Sequence, residues 1–476
     1  MGYKDLRGWL EEVERLGELK KYDGADWDQE IGALIEINGL QSKSKRALLF
    51  DNIKGYPAGY RVLGSLLTTL PRLALTTNMP DGLSGIEFVR EWRNRMRNLN
   101  TIPPVLVSGG PVMENIMEGD QVDLLKFPAP RYHEEDGGRY IGTASVTITK
   151  DPDSDWVNLG TYRVQLHDKN TIGFFISPGK QGRIQREKYF AAGKPCPVAI
   201  SFGQDPLLFM MAGLTMPPGI CEYDIAGGIK GEPIEVIKGA FTGLPLPAHS
   251  EIVIEGESLP DETRPEGPFG EFTGYYGSAE RSEPLIRVKR VMYRNNPIIT
   301  ACPPYRSPND SDFFQAPCTS ASIWEAVENA GVPDVKGVWM HAAASAWAFV
   351  VISIKQRYPG HARQAGLVAS QCQAGAYMGR YVVVVDDDID PSDIGNVLWA
   401  LGTRSDPERS IELLRRCWSG PLDAAIPVGK KGFNSRLIID ACKPYEWIDQ
   451  FPKMVATSPD LRERVYNHFG KDTVLG

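Results

Sequence analysis

The sequence predicts a mixed α/β (α+β) protein in three parts: an N-terminal α/β segment led by helix, a strand-rich, barrel-like middle, and an α/β C-terminal part. Three observations carry this. Apolar residues recur at helical spacing near the start, alternating strand patterns crowd the stretch from about 139 to 294, and continuous apolar runs appear after about Cys302. The parts are placed at 1–115, 116–305 and 306–476, and 476 residues leave room for each to bury a core.

In the first part Leu6, Trp9, Leu10, Val13 and Leu16 fall three and four residues apart and give one apolar face. A second helix is expected over about 86–97, and the Pro- and Gly-rich stretch 101–130 reads as a connection. In the middle, 145–149 (SVTIT), 252–254 and 285–291 (LIRVKRV) alternate apolar and polar residues, as half-buried antiparallel strands do. One helix, about 184–192, precedes a strand at 197–202. In the last part 320–330 is helical. The runs AWAFVVISI (346–354) and YVVVVDDD (381–388) suit parallel strands buried on both faces, with a helix between them. A short polar helix at 459–469 suits contact with a partner subunit.

Composition removes several function classes. A formal charge of −8 with no dense basic run argues against nucleic-acid binding. The longest apolar stretches, 346–354 and 381–385, fall far below the roughly 20 residues of a membrane span. The start MGYKDLRGWLEEVE is charged amphipathic helix, not a signal peptide. Seven scattered cysteines without a CxxC pair fit reduced thiols, so a cytoplasmic location is expected. The dinucleotide, P-loop, zincin and nucleophile-elbow motifs are missing, and the six histidines show no ligand spacing.

Three segments are candidates for chemistry. In RPEGPFGEFTGYY (264–276), Glu266 is flanked by Pro265 and Gly267-Pro268, and Glu271 follows where a strand is expected to begin. If Phe269 onward is extended, Phe269 and Glu271 share a face and Phe272 points away. Two acids in a rigid aromatic setting can have separated pKa values, one ionised and one a proton donor. The same residues also suit a turn with two solvated glutamates. In DWVNLGTYR (155–163), Arg163 is either a surface residue or a guanidinium aimed to fork onto a carboxylate. Asn158 would face the opposite side of a regular strand unless Gly160 marks a bulge or turn. In CEYDIAGGIKG (221–231), Glu222 is a surface acid or, with Asn158, an oxygen ligand for a hard cation.

Taken in order, these segments resemble the UbiD family of reversible decarboxylases, from YKDLRGWL at the start to WALGTRSDP at 399–407. The resemblance implies a central split β-barrel domain that binds prenylated FMN and a C-terminal α/β oligomerisation domain. It implies Arg163, Glu266 and Glu271 as a catalytic Glu-Arg-Glu network, and Asn158 and Glu222 as ligands of Mn2+ (or Mg2+), with K+ nearby. Thr161, Tyr162, Arg163, Phe175, Ile176 and Ser177 match cofactor-contacting positions, and Lys355 a lysine that meets the phosphate. One position departs: Gln181 stands where many relatives carry a histidine metal ligand, and a glutamine carbonyl binds hard cations directly or through water. Lys180 beside it is counted with the cofactor-binding set and favours an extra negative charge on the substrate.

The implied reaction is loss or gain of CO2 on an aromatic, heteroaromatic or α,β-unsaturated acid, with prenylated FMN as electron sink and Glu271 as proton donor. A flavin prenyltransferase supplies the cofactor, and the assembly is a homo-oligomer, dimer or hexamer. The rivals are a carboxylase running the reverse reaction in a complex, a non-catalytic scaffold of the same fold, and an ordinary FMN reductase. A two-carboxylate glycosidase is the weakest.

Overall fold

The first helix, Leu6–Arg15, starts where Asp5 accepts the Gly8 N–H, a side-chain cap on an otherwise orphaned donor. A computed structural model describes residues 2–475 except 215, 278, 421, 428 and 431. Leu6, Trp9, Leu10 and Val13 are buried, whereas Leu16, expected on that face, lies past the last turn and is 47% exposed. The second expected helix is Gly85–Arg97, closed at its start by a reciprocal Ser84–Glu87 capping box. The N-terminal sheet runs Leu19–Asp23, Ala47–Asp51, Arg61–Gly64 and then Ile298–Ala301, a strand the chain supplies much later. Ile298–Ala301 pairs in parallel with Arg61–Gly64.

The middle is organised around one long strand, Arg281–Tyr293. Along its length it pairs antiparallel with Thr263–Glu266, Thr171–Gly173, Ile252–Ser258 and Asn115–Glu118. The ten-stranded sheet it anchors curls but stays open, its path ending at Arg139–Gly142 on one side and Val157–Gly160 on the other. A register shift at Glu255/Gly256 helps it bend; any side chain at 256 would stand 2.4 Å from the Arg287 carbonyl oxygen.

The expectation of half-buried strands needs correction here. Val146, Thr147, Ile148 and Thr149 are all buried. The alternation is real, but the polar face is covered: Thr149 donates to Gln185 Oε1 at 2.6 Å on the helix Gln181–Ala191. Burial with a hydrogen bond leaves the same sequence signature as exposure to water.

In the C-terminal part a helix spans Asp310–Asn329, beginning ten residues before the expected one. Pro317 lies inside it, and a residue without an N–H weakens the helical pattern in sequence. The five-stranded sheet has the order Val335–Met340, Phe349–Ile354, Tyr381–Asp386, Phe433–Ala441, Ile411–Trp418. The two apolar runs pair in parallel as expected, with His361–Gln371 helical between them. The helix Pro459–Phe469 is present and buries none of its residues. Among the described residues no helix is long and apolar enough to cross a membrane.

Candidate active site

The strand Val157–Gly160 stops one residue before Thr161, and the chain leaves the sheet until Val164–Leu166 begins. That break frees Arg163 from strand alternation. Thr161 donates its N–H to Ala212 O at 3.1 Å, and Tyr162 folds back over Gly160, where a Cβ would stand 2.2 Å from its hydroxyl. Only glycine permits that approach.

Glu266 is the last residue of the strand Thr263–Glu266, opposite Arg281. Strand structure therefore ends at Glu266 instead of beginning near Glu271, which sits in a loop. The loop leaves at Gly267 with φ +85°, a conformation glycine adopts without strain. Gly267 donates to Gln165 Oε1 at 3.1 Å, and Pro268 O accepts the Gly137 N–H at 2.8 Å. Further on, Glu271 N donates to Tyr275 O at 2.9 Å and Gly274 N to Glu271 O at 2.8 Å. Phe269 stacks on Tyr140 with centroids 3.8 Å apart, Glu271 turns to Arg163, and Phe272 turns away onto Trp347 at 5.1 Å.

These elements bring Arg163, Glu266 and Glu271 together. Arg163 forks onto Glu266, Nε to Oε1 at 2.9 Å and Nη2 to Oε2 at 2.7 Å, while Nη1 reaches Glu271 Oε1 at 2.9 Å. Tyr140 donates its hydroxyl to Glu266 Oε1 at 3.2 Å. Glu266 is 1% exposed and Glu271 9%. Burial works against the Arg163 charge, but the two glutamates more than offset it, so its pKa rises. For Glu271, burial pushes the carboxyl above its ordinary range; Arg163 and Arg281 oppose this and Glu266 adds to it. Each Nη of Arg163 keeps an N–H for a further acceptor. Phe175 lies between Arg163 and Arg281, its ring centroid 4.2 and 4.1 Å from their guanidinium carbons. Ile176 is buried beside it, and Ser177 O accepts the exposed Lys180's N–H at 3.3 Å before the helix Gln181–Ala191.

A second set gathers around Tyr162, whose hydroxyl accepts the Gly182 N–H at 3.3 Å. Burial pushes the Tyr162 phenol up to about 12. Glu222 opens the helix Glu222–Lys230 and accepts the Leu159 N–H at 2.8 Å. It is 2% exposed, and burial raises it to about 7, with no cationic side chain opposing the rise. Asn158, also 2% exposed, sets its side chain against the Tyr162 hydroxyl, and its buried Nδ2 makes no well-aligned bond among the described residues. Gln181 donates Nε2 to Met216 O at 2.9 Å. Among the described residues no three His, Cys, Asp or Glu side chains cluster as a metal site. One carboxylate with two amide oxygens is nevertheless a donor set for a hard cation, and the uncompensated buried acid fits one.

Lys355 is not brought to the Arg163–Glu266–Glu271 set. It follows the strand Phe349–Ile354 at the end opposite Trp347, is exposed, and at about 3.3 Å per residue stands roughly 20 Å along the strand. Sequence reasoning missed Tyr140, Gln165 and Arg281. Tyr140 and Glu266 lie 126 residues apart, and no local pattern announces their hydrogen bond.

Comparison with known proteins matches all three parts of the chain. Residues 10–92 match the 3-octaprenyl-4-hydroxybenzoate carboxy-lyase N-terminal domain, 105–307 its Rift-related domain and 312–441 its C-terminal domain. Pyrrole-2-carboxylic acid decarboxylase of Pseudomonas aeruginosa is 33% identical over 473 residues, covering 95% of this chain and 94% of that one. Vanillic acid decarboxylase of Sedimentibacter hydroxybenzoicus, in open form, superposes with a TM-score of 0.87 at 28% identity, covering 100% of both chains. The UbiD-class enzyme HmfF of Pelotomaculum thermopropionicum, in complex with FMN, gives 0.85 at 29% identity over 97% of this chain and 98% of that one. An evolved dimeric form of HmfF in complex with prFMN gives 0.82 at 29% identity over 96% and 98%.

Proposed function

The chain belongs to the UbiD family of carboxy-lyases, and from that premise we propose that it is a reversible, non-oxidative decarboxylase of an aromatic, heteroaromatic or α,β-unsaturated carboxylic acid, working with prenylated FMN. The observation that carries the reading is the partly buried Arg163, its side chain 9% exposed, held by Glu266 on one side and Glu271 on the other. Relatives named for pyrrole-2-carboxylic and vanillic acids support an aromatic or heteroaromatic substrate, and the HmfF complexes support the flavin.

When bound, prenylated FMN supplies the electron sink that neither an arginine nor a carboxylate offers. Thr161, Tyr162, Phe175, Ile176, Ser177 and Lys180 would hold it. Asn158, Glu222 and Gln181 would hold Mn2+ or Mg2+, with K+ nearby; Lys355, given its place in the fold, is left out. Arg163 orients the substrate carboxylate through its remaining Nη donors, and Glu266 fixes the plane of its guanidinium. As the bond to CO2 breaks, the electron pair stays with the substrate carbon. Glu271, whose carboxyl pKa is raised by burial against the pull of Arg163 and Arg281, gives its proton to that carbon and is reprotonated from solvent. In the carboxylation direction the same groups act in reverse order.

A flavin prenyltransferase supplies the cofactor. The working form is a homo-oligomer assembled through the C-terminal part, whose edge strand Ile411–Trp418 exposes Leu413 and Trp418. The test is anaerobic loading, mass spectrometry of the bound flavin, and deuterium incorporation from D2O at the carbon that loses CO2, followed over a panel of aryl acids. Glu271→Gln should retain flavin and lose exchange; exchange at the parent rate would refute the assignment.

A further inference from the structure

The loop that carries Glu271 does not stand alone. Gly274, with φ +80°, lies so close to the segment leading to the long C-terminal helix that a Cβ there would be 2.6 Å from Arg306 Cα. Next to Glu271, the Phe272 carbonyl accepts two side-chain donors from that segment, Asn309 Nδ2 at 3.0 Å and Ser307 Oγ at 3.4 Å. Ser307 Oγ is also 3.0 Å from Ser345 Oγ, and the Phe272 ring packs edge-on against Trp347. Glu271 is thus followed by a residue pinned at both its backbone and its ring to the C-terminal part.

Asn309 is the pivot of this arrangement. It is 1% exposed and caps the helix Asp310–Asn329. Its Oδ1 accepts from Ser311 N at 3.2 Å, Asp312 N at 3.3 Å and Ser311 Oγ at 2.7 Å, and Asp312 Oδ2 accepts the Asn309 N–H at 3.1 Å. Its Nδ2 donates to Tyr305 O at 3.2 Å and to Phe272 O. A helix cap needs only the oxygen, and serine or threonine supplies one as well. The nitrogen is spent on the loop. The carboxamide puts the acceptor for the helix and the donor for Phe272 on two separate atoms, which the single short hydroxyl of serine does not.

We propose that Asn309 is a positioning residue for the proton donor: its carboxamide couples the start of the long C-terminal helix to the loop that places Glu271 beside Arg163. The inference rests on the reading of Glu271 as proton donor. The helix start reaches Phe272, and so its neighbour Glu271, through the Asn309 Nδ2 bond, the shorter of the two on that carbonyl.

The test compares Asn309→Ser with Asn309→Ala in the flavin-loaded full chain, using kcat, KM, deuterium exchange, retained flavin and Tm. Serine keeps the cap oxygen but, one group shorter, withdraws the Nδ2 donor that reaches Phe272 O; alanine removes both. The expected result for serine is a near-parent Tm, parent flavin content and KM, and kcat and exchange lower by about ten- to a hundredfold, the cost of a small misplacement of a reacting group. Alanine should lower kcat as much as serine does but also lower Tm. Parent kcat in Asn309→Ser would overturn the proposal, and so would a rate loss that tracks Tm or flavin content. Glu271→Gln separates the two failures. If it is inert while Asn309→Ser is normal, only the positioning role falls; if it exchanges at the parent rate, the donor role and this inference fall together.

Discussion

The two buried polar sets beside each other in the middle of the molecule are built on opposite principles. Around Arg163 every charge meets an opposite one: a forked pair with Glu266, a single bond to Glu271 and a tyrosine hydroxyl on the first glutamate. Around Tyr162 the accounts stay open: among the described residues Glu222 has no cationic partner, and the Asn158 amide meets only the Tyr162 hydroxyl. The first set is held in place by its own side chains, which suits groups that must already be aimed when substrate arrives. The second costs folding energy as it stands, and a cation bound there would return it.

The contrast can be broken most sharply at Glu271. Replacing it with glutamine should leave Arg163 forked on Glu266 and the flavin in place, while exchange falls by about 10² to 10⁴, the usual contribution of a positioned acid. Arg163→Lys comes next. A lysine cannot span both glutamates, so a fall of about 10² in kcat/KM is expected with little change in Tm; an unchanged kcat/KM would mean that the fork does not matter.

The second set answers to metal. Mn2+ at about a hundred times its Kd should stabilise the parent by about 2.7 kcal/mol, read as a rise in Tm that EDTA abolishes. Glu222→Gln should lose most of that rise while keeping the fold. An equal Mn2+ response in both proteins would move the cation elsewhere.

The smallest effect is a pH slope. In the metal-free chain Glu222 sits at about 7, above the ordinary glutamate value, so the folded form holds a proton that the unfolded chain releases. Its contribution to stability is therefore intact below about pH 4 and is lost as pH rises through 7, on the order of 3 kcal/mol. Glu222→Gln should flatten that part of the urea-unfolding profile, and saturating Mn2+ should flatten it in the parent.

Much of this was legible in the sequence because it is local. The helices at Leu6–Arg15 and Gly85–Arg97, the parallel pair Phe349–Ile354 and Tyr381–Asp386, and the residues of the two glutamate and arginine segments are all signalled within a few positions. What failed was decided by distant parts of the chain. The strand Val146–Lys150 looks half-exposed until the helix Gln181–Ala191 brings Gln185 onto Thr149. Glu271 looks like the start of a strand because Phe269 and Glu271 alternate with Phe272, yet a loop pinned by Gln165, Gly137 and Asn309 gives the same alternation. Lys355 shows the converse: its segment is easy to recognise, but recognition says nothing about which end of a strand faces the site.

The late strand Ile298–Ala301 sets a rule for anyone building hybrids from relatives of this chain. It completes the N-terminal sheet beside Arg61–Gly64, so the first hundred residues borrow a quarter of their strands from a stretch near position 300. A crossover that exchanges only the leading third would press one parent's Val62 and Leu63 against the other parent's Ile299 and Thr300. Recombination should move the two stretches as one cassette, and libraries cut at a single point should be depleted of folded members.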